Sequence, residues 1–284
     1  MKKDLEGKLQ VISATFLGGF IPILARFGGG LGVYALTFFR IFVAMLSLGI
    51  FLGFSKTKLV PLKYEKLKLL FFGAIHGVII LLYFIALNYM TISAVVLLFA
   101  TYPIWMAILS RFILKEKIHK RAISAIIIAF IGVMIISSPD RIFVEKNFIG
   151  PIAILMAAFF AATVYVLSKT FKKYDKVSLT FWQNTIALPF VIPLLFINFP
   201  TSINIAEFFV IISMGSVFTA SPFVLVYKGL HKIKAHQGGV LMLMEVLVPI
   251  VLALIIFREI PSISIIFGGI LVLIGAYLIV SSKH

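Results

Sequence analysis

Residues 92–113 read ISAVVLLFATYPIWMAILSRFI, an apolar run with no acidic residue and one basic residue near its end. A helix needs about 20 such residues to cross the hydrocarbon core of a membrane. Comparable runs recur along the whole chain and leave only short connections. The predicted spans are 9–26, 34–54, 67–88, 92–113, 122–138, 149–168, 180–198, 206–227, 237–257 and 263–281. The fold class predicted is an all-α polytopic membrane protein with ten transmembrane helices.

The overall composition agrees with a membrane protein. Of the 284 residues, 62% are hydrophobic and only 13% are charged, and the mean hydropathy is +1.15. A soluble domain is about half apolar and about a quarter charged, so a soluble enzyme, a secreted scaffold and a disordered chain are poor matches. The chain has no cysteine, which excludes disulfides, thiolate metal sites and cysteine nucleophiles.

The net charge of +16 is explained by where the basic residues lie. With the N-terminus in the cytoplasm, 21 of the 26 Lys and Arg residues fall in cytoplasmic segments, as the positive-inside rule requires. The remainder are Arg26, Arg40, Arg141, Lys146 and Arg258. We therefore expect a multi-pass protein of the cell membrane, in contact with lipid, with both termini cytoplasmic. A nucleic-acid partner is not needed to explain the charge.

The chain also contains an internal repeat. A shift of 143 residues aligns Gly7 with Gly150, Leu36-Thr37-Phe38 with Leu179-Thr180-Phe181, Glu116 with Glu259 and Gly132 with Gly275. The repeat divides the chain into a first half, residues 1–143, and a second half, residues 144–284. Each half has five spans, an odd number, so the second enters the membrane from the opposite side. Inverted repeats of this kind are common in secondary transporters; duplication in a receptor, a scaffold or a membrane enzyme is the alternative.

Three stretches resemble a known family. AVVLLFATYPIWMAILSRFILKEK at 94–117 and LMLMEVLVPIVLALIIFREIP at 241–261 resemble the fourth and ninth helices of the EamA family of the drug/metabolite transporter superfamily, and FRIFVA at 39–44 resembles the start of its second helix. The resemblance implies a ten-helix carrier of small polar metabolites, often an exporter of amino acids. It also implies a central cavity lined mainly by helices 1, 3, 4, 6, 8 and 9.

Glu245 is the acidic residue that lies well inside a predicted span. An ionisable group inside a membrane costs about 3 kcal/mol on insertion scales, so it is a functional candidate. A carboxyl group at this depth could exchange a proton for a cationic or zwitterionic substrate. The alternative is a structural Glu that links helices by hydrogen bonds.

Other polar and aromatic residues in the spans are further candidates for substrate binding or coupling. His76 shares a helix face with Tyr83 and could relay protons or bind substrate, or simply be satisfied by a neighbouring helix. Arg40 could bind a carboxylate, extend to the headgroups or cap a neighbouring helix. The repeat aligns Arg40 with Gln183 and Tyr102 with Glu245, so we expect the latter pair at one cavity. The remaining candidates are Trp105, Trp182, Asn184 and Thr219.

No motif in the sequence calls for a cofactor. The run Gly28-Gly29-Gly30-Leu31-Gly32 follows no strand and lacks the context of a phosphate-binding loop. We see no pattern of metal ligands, hydrolytic residues or nucleotide-binding residues, and therefore expect no enzyme activity. The expected partner is a small-molecule substrate, and one chain suffices for the cavity, although a dimer is compatible with it. A receptor or scaffold without transport, and a lipid transferase, are the alternative functions.

Overall fold

The computed structural model describes residues 2–55, 57, 59–61, 65–115, 124, 127–128, 131–132, 135, 148–197, 199–233, 238 and 241–281. These residues form helices and connections, and the described part of the chain contains no strand. The helices are α1 Lys2–Gly18, α2 Ile21–Phe27, α3 Gly32–Phe54, α4 Lys66–Tyr89, α5 Ile92–Phe99, α6 Tyr102–Ile113, α7 Ile149–Ser168, α8 Lys176–Leu195, α9 Ile205–Gly215, α10 Ser221–Lys232, α11 Leu247–Phe257 and α12 Ile263–Ser281. The short helical segments are a 3₁₀ turn at Gly29–Leu31, a π segment at Ser216–Ala220 and a 3₁₀ turn at Leu243–Val246.

Seven helical runs within the described residues are long and apolar enough to cross a membrane. They fall on predicted spans one to four and six to eight. Two shorter apolar helices, Leu247–Phe257 and Ile263–Gly275, fall on predicted spans nine and ten. The predicted fifth span, 122–138, lies mostly outside the described residues. Glu116, at the end of span four, also lies outside them. The structure therefore has the architecture of a polytopic membrane protein.

Local sequence signals set several of the helix boundaries. The Thr91 hydroxyl accepts a hydrogen bond from the Ala94 amide at the start of α5, and Asp175 accepts one from the Val177 amide at the start of α8. Asn204 and Glu207 form a reciprocal capping box at the start of α9. Each arrangement satisfies amide groups that the first turn of a helix leaves without a partner.

Contacts between the two halves are reciprocal. Helix α1 packs on α10, α7 packs on α4, and α3 packs on α8. The 143-residue shift places α1 on α7, α4 on α10 and α3 on α8. The first two contacts are therefore counterparts of each other, and the third is its own counterpart. Small residues allow the close approach that membrane helices favour. For example, a side chain at Gly229 of α10 would meet the Gly7 carbonyl of α1 at 2.7 Å, and one at Gly73 of α4 would meet the Gln183 carbonyl of α8 at 3.0 Å.

Within the residues that the structure describes, four of the predicted spans are not uniform α-helices. The first breaks between α1 and α2, the fourth between α5 and α6, and the ninth at the 3₁₀ turn Leu243–Val246. The eighth is widened by the π segment Ser216–Ala220. The prediction of a single ninth helix over 237–257 is therefore wrong at Glu245, which lies in the 3₁₀ turn. These irregularities lie near the middle of the bundle and shape the site.

Candidate functional site

The main cavity lies between the two halves of the chain, and residues of both halves line it. Its walls come from α1, α2, α3, α4, α5, α7, the π segment, α10 and the residues just before α11. Apolar and aromatic side chains dominate the lining, with a few polar groups among them. The residues that line it are Ala14, Thr15, Gly18, Ile21, Arg40, Ile79, Ile80, Tyr83, Phe99, Ala161, Val164, Tyr165, Phe218, Pro222, Phe223, Val226, Met242 and Glu245. A concave, mostly apolar pocket with a few polar groups is typical of a small-molecule site.

Two interrupted helices meet beside this cavity at corresponding positions of the halves. Residues 100–101 separate α5 from α6, and the 143-residue shift places them on residues 243–244, at the start of the second interruption. Tyr102 follows the first break, Glu245 lies within the second, and the two correspond to each other in the repeat. Both line a smaller neighbouring cavity. Discontinuous helices at matching positions of two repeats are the best structural indicator of a transporter's binding site.

Arg40 of α3 projects into the protein interior and lines the main cavity. It is only 6% exposed, so it does not extend to the headgroups. Its Nε donates a hydrogen bond of 2.9 Å to the Thr219 hydroxyl, and its guanidinium carbon lies 5.6 Å from the centre of the Phe84 ring. No carboxylate of the described residues lies within 4.0 Å of it. The guanidinium is thus held in place while its terminal amino groups stay available to a ligand.

Thr219 anchors Arg40 because of the π segment. Its hydroxyl donates a 2.6 Å hydrogen bond to the Met214 carbonyl five residues earlier and accepts the bond from Arg40. A π turn is rare and often marks a functional position. The helical period alone did not predict this turn.

Glu245 reaches the cavity from the second half. Its carboxylate packs against α1, where a side-chain carbon at Gly18 would meet the Glu245 Oε1 at 2.8 Å. A side-chain carbon at the next residue, Gly19, would meet the Val248 Cβ at 2.7 Å. Because neither glycine has a side chain, the 3₁₀ turn can pack directly against α1. Arg40 of the first half and Glu245 of the second half therefore face one space.

A row of aromatic rings continues from the charged groups. Tyr83 packs edge-on against Phe99 with 5.2 Å between ring centres, Phe99 contacts Tyr102 at 5.3 Å, and Tyr102 contacts Tyr165 at 5.7 Å. The Tyr102 hydroxyl is buried and has no hydrogen-bond partner among the described residues. These rings join the main cavity to the smaller one.

Several predicted site residues lie outside the main cavity. His76, Gln183 and Asn184 are fully buried between α4 and α8, and the His76 ring packs edge-on against Phe223 at 4.8 Å. Trp182 donates a 2.8 Å hydrogen bond to the Val60 carbonyl.

Trp105 packs against Phe159 at 5.4 Å. Trp105 lines neither cavity, although Tyr102, three positions earlier on α6, lines the smaller one. Both tryptophans therefore make packing contacts.

Sequence reasoning did not single out most of the apolar lining. Phe99, Phe218, Phe223 and Met242 line the cavity, but 29 Phe residues in one chain give no basis for choosing among them. Tyr165 also lines the cavity. In the described part of the chain, no three His, Asp or Glu side chains lie close enough to hold a metal ion.

Comparisons with known proteins agree with the fold and the repeat. The EamA-like transporter family matches residues 5–138 and 148–281, and the second match begins and ends 143 residues after the first. A protein of Archaeoglobus fulgidus named "Uncharacterized transporter" is 28% identical over 232 residues, which are 78% of this chain and 80% of that protein. Another from that organism, with the same name, is 24% identical over 270 residues, which are 95% and 94% of the two chains.

A crystal structure supports the same fold. It aligns with a TM-score of 0.72 at 15% identity and covers 96% of this chain and 95% of that one. At this identity the likeness concerns the fold alone.

Proposed function

The chain belongs to the EamA-like transporter family, and on that premise we propose that it is a secondary carrier that exports small metabolites across the cell membrane. Amino acids or related compounds are the proposed substrates. The observation that carries the proposal is the cavity between the halves, which Arg40 enters from one half and Glu245 from the other. A receptor or scaffold without transport would need no such space between its halves.

The proposed topology has ten spans in two inverted halves, residues 1–143 and 144–284, with both termini in the cytoplasm. The repeat and the reciprocal packing of α1 with α10 and of α7 with α4 support it. Because each half would hold an odd number of spans, the two halves would be related by an axis in the membrane plane. Rocking one half against the other would then open the cavity to each side in turn.

The charges in the cavity suit a zwitterion. The Arg40 guanidinium, fixed by Thr219, presents terminal N–H groups that match a carboxylate. The Glu245 carboxylate could accept the ammonium group. The apolar lining around them would contact the rest of the molecule. A substrate with both charges would thereby neutralise two groups that otherwise lie in a space of low polarity.

Glu245 is also the proposed coupling group. A carboxyl group that binds either a proton or the substrate's ammonium group cannot hold both at once. Proton entry from outside would therefore release the substrate, and the carrier would exchange one for the other. A structural Glu245 would leave transport independent of the proton gradient.

Flux in sealed proteoliposomes tests the proposal. Vesicles would be loaded with a mixture of radiolabelled amino acids, and release would be measured with and without a proton gradient for the wild type and for Glu245→Gln. The Gln side chain keeps the shape and removes the exchangeable charge. We expect release that is accelerated by the gradient in the wild type and insensitive to it in the variant.

Two other outcomes would revise the proposal. Release indifferent to both the gradient and the substitution would indicate a facilitator with a structural Glu245. An absence of release for amino acids and for other small metabolites would contradict transport and favour the scaffold. Glu259→Gln is a matched control, because the Glu259 carboxylate accepts a hydrogen bond from the Ser93 amide and lines neither cavity.

A further inference from the structure

A buried polar cluster between α4 and α8 has unused hydrogen-bonding groups. It consists of His76, Gln183 and Asn184, each with 0% of its surface exposed. Both ring nitrogens of His76, the Gln183 Nε2 and the Asn184 Oδ1 have no partner among the described residues. Leaving a buried polar group unpaired costs about 1–3 kcal/mol, so three such side chains together call for a physical reason.

The internal repeat relates this cluster to the Arg40 anchor. The 143-residue shift aligns Arg40 with Gln183, both on the paired helices α3 and α8. The same shift aligns His76 with Thr219. The pair Gln183 and His76 is therefore the counterpart of the pair Arg40 and Thr219, with the two halves interchanged.

The two pairs differ in the described structure. Arg40 Nε donates to the Thr219 hydroxyl at 2.9 Å. Gln183 instead accepts a 2.8 Å hydrogen bond from the Tyr227 hydroxyl through its Oε1, and its Nε2 is unused. One contact is made and its counterpart is not. This is the asymmetry expected when two similar halves adopt different conformations.

The chemistry of the unused groups is complementary. Gln183 Nε2 is a donor, Asn184 Oδ1 is an acceptor, and a neutral imidazole has one donor and one acceptor nitrogen. The Asn184 side chain is close enough to interact with His76, but the two make no hydrogen bond of ordinary geometry. Gln183 donating to His76, and His76 donating to Asn184, would satisfy all three side chains at once. The donor would be the side chain of the α8 residue, through Gln183 Nε2, as Arg40 on α3 donates through its Nε.

We propose that His76 and Gln183 form the second of two alternating contacts, which is made when the Arg40–Thr219 contact breaks. The inference rests on the inverted topology proposed above. If two inverted halves exchange conformations, the cavity opens to the opposite side, and each contact takes on the arrangement of its counterpart. The Arg40–Thr219 bond then stabilises the described conformation, and the His76–Gln183 bond stabilises the opposite one.

Cysteine accessibility measures this equilibrium without knowledge of the substrate. The chain has no native cysteine, so Ala161→Cys would place a single thiol in the cavity wall. A membrane-impermeant maleimide would be applied to right-side-out and to inside-out vesicles. The ratio of the two labelling rates reports which side of the membrane the cavity faces.

The expected shifts have opposite signs. Thr219→Val keeps the shape of the residue and removes the acceptor for Arg40, so it should shift the ratio away from the described conformation. His76→Leu should shift it toward that conformation, by about threefold, the typical effect of one interhelical hydrogen bond in a membrane protein. Gln183→Leu also removes the acceptor of the Tyr227 hydroxyl in the described conformation, so it serves as a background for His76→Leu. In that background His76→Leu should produce no further shift, because the partner of His76 is already gone.

The matched control is Thr163→Val. Thr163 is also a buried threonine, but its hydroxyl bonds only the Phe159 carbonyl of its own helix, and the ratio should not move. A shift of His76→Leu in the direction of Thr219→Val, no shift, or an equal shift of His76→Leu in the Gln183→Leu background would overturn the inference. Labelling of the wild type from neither side would instead contradict the cavity's proposed role in transport, and the inference would fall with it.

Discussion

Arg40→Met should weaken substrate binding while leaving the free energy of unfolding nearly unchanged. The substitution removes one 2.9 Å hydrogen bond to Thr219 and one contact with the Phe84 ring. The hydrogen bond has a charged donor and contributes about 1.5–3 kcal/mol, and the cation–π contact contributes about 1 kcal/mol. Burial of the Arg40 guanidinium, which is only 6% exposed, costs several kcal/mol of desolvation. The substitution removes this cost, which offsets the lost contacts.

The free energy of unfolding should therefore change little. Thr219 is not left without a partner, because its hydroxyl still bonds the Met214 carbonyl. We expect the Tm in detergent to stay within about 5 °C of the wild type. Transport should behave differently, because a charge-assisted hydrogen bond to a carboxylate is worth about 1.5–3 kcal/mol. Its loss should weaken apparent substrate affinity roughly 10-fold to 150-fold.

The assay is concentration-dependent exchange in proteoliposomes, with Tm measured on the same preparations. Arg40→Lys keeps the charge without the planar group and should fall between the wild type and Arg40→Met. Arg111→Met is a control, since Arg111 is exposed near the end of α6 and lines neither cavity. Unchanged affinity in a stable Arg40→Met protein would refute the assignment of Arg40 as the carboxylate contact.

Three further predictions follow from the same geometry. Gly18→Ala should lower flux with little change in Tm, because the added carbon would meet Glu245 Oε1 at 2.8 Å and displace the carboxylate, whereas Gly53→Ala has nothing within 4 Å and should leave flux unchanged; flux and Tm measured on both variants check this. Asn204→Ala should lower the free energy of unfolding by about 1 kcal/mol by breaking the capping box of α9; an unfolding titration that matches the wild type would contradict it. In intact cells, an impermeant maleimide should label a cysteine at position 204 but not one at Lys115, and labelling at position 115 alone would reverse the proposed topology.

Much of the fold could be predicted from the sequence, because membrane spans are long apolar runs with a fixed minimum length. The predicted tenth span, 263–281, coincides with α12, and the second, 34–54, begins two residues inside α3. The helix breaks were harder to predict. The turn at Leu243–Val246 contains no proline or glycine of its own, and it lies where Gly18 and Gly19 of α1 approach. A contact between distant segments does not show in local sequence.

The candidate site could be predicted only in part, for a related reason. Ionisable residues in apolar spans are costly, so Arg40 and Glu245 stand out in the sequence, and both line the cavity. Helical spacing places residues on a common face but does not identify the helix that this face meets. Trp105 and Trp182 therefore appeared equivalent to Tyr83, although only Tyr83 reaches the cavity.

The most direct test of the central claim is trans-stimulation of exchange, because a carrier that alternates access reorients faster when substrate occupies it on both sides. Proteoliposomes loaded with labelled amino acid would be diluted into buffer with or without unlabelled amino acid, and release would be timed. The account predicts faster release when unlabelled substrate is outside, and loss of this acceleration in Arg40→Met. Release at the same rate in both buffers, or no release from vesicles that contain folded protein, would contradict a carrier that works by alternating access.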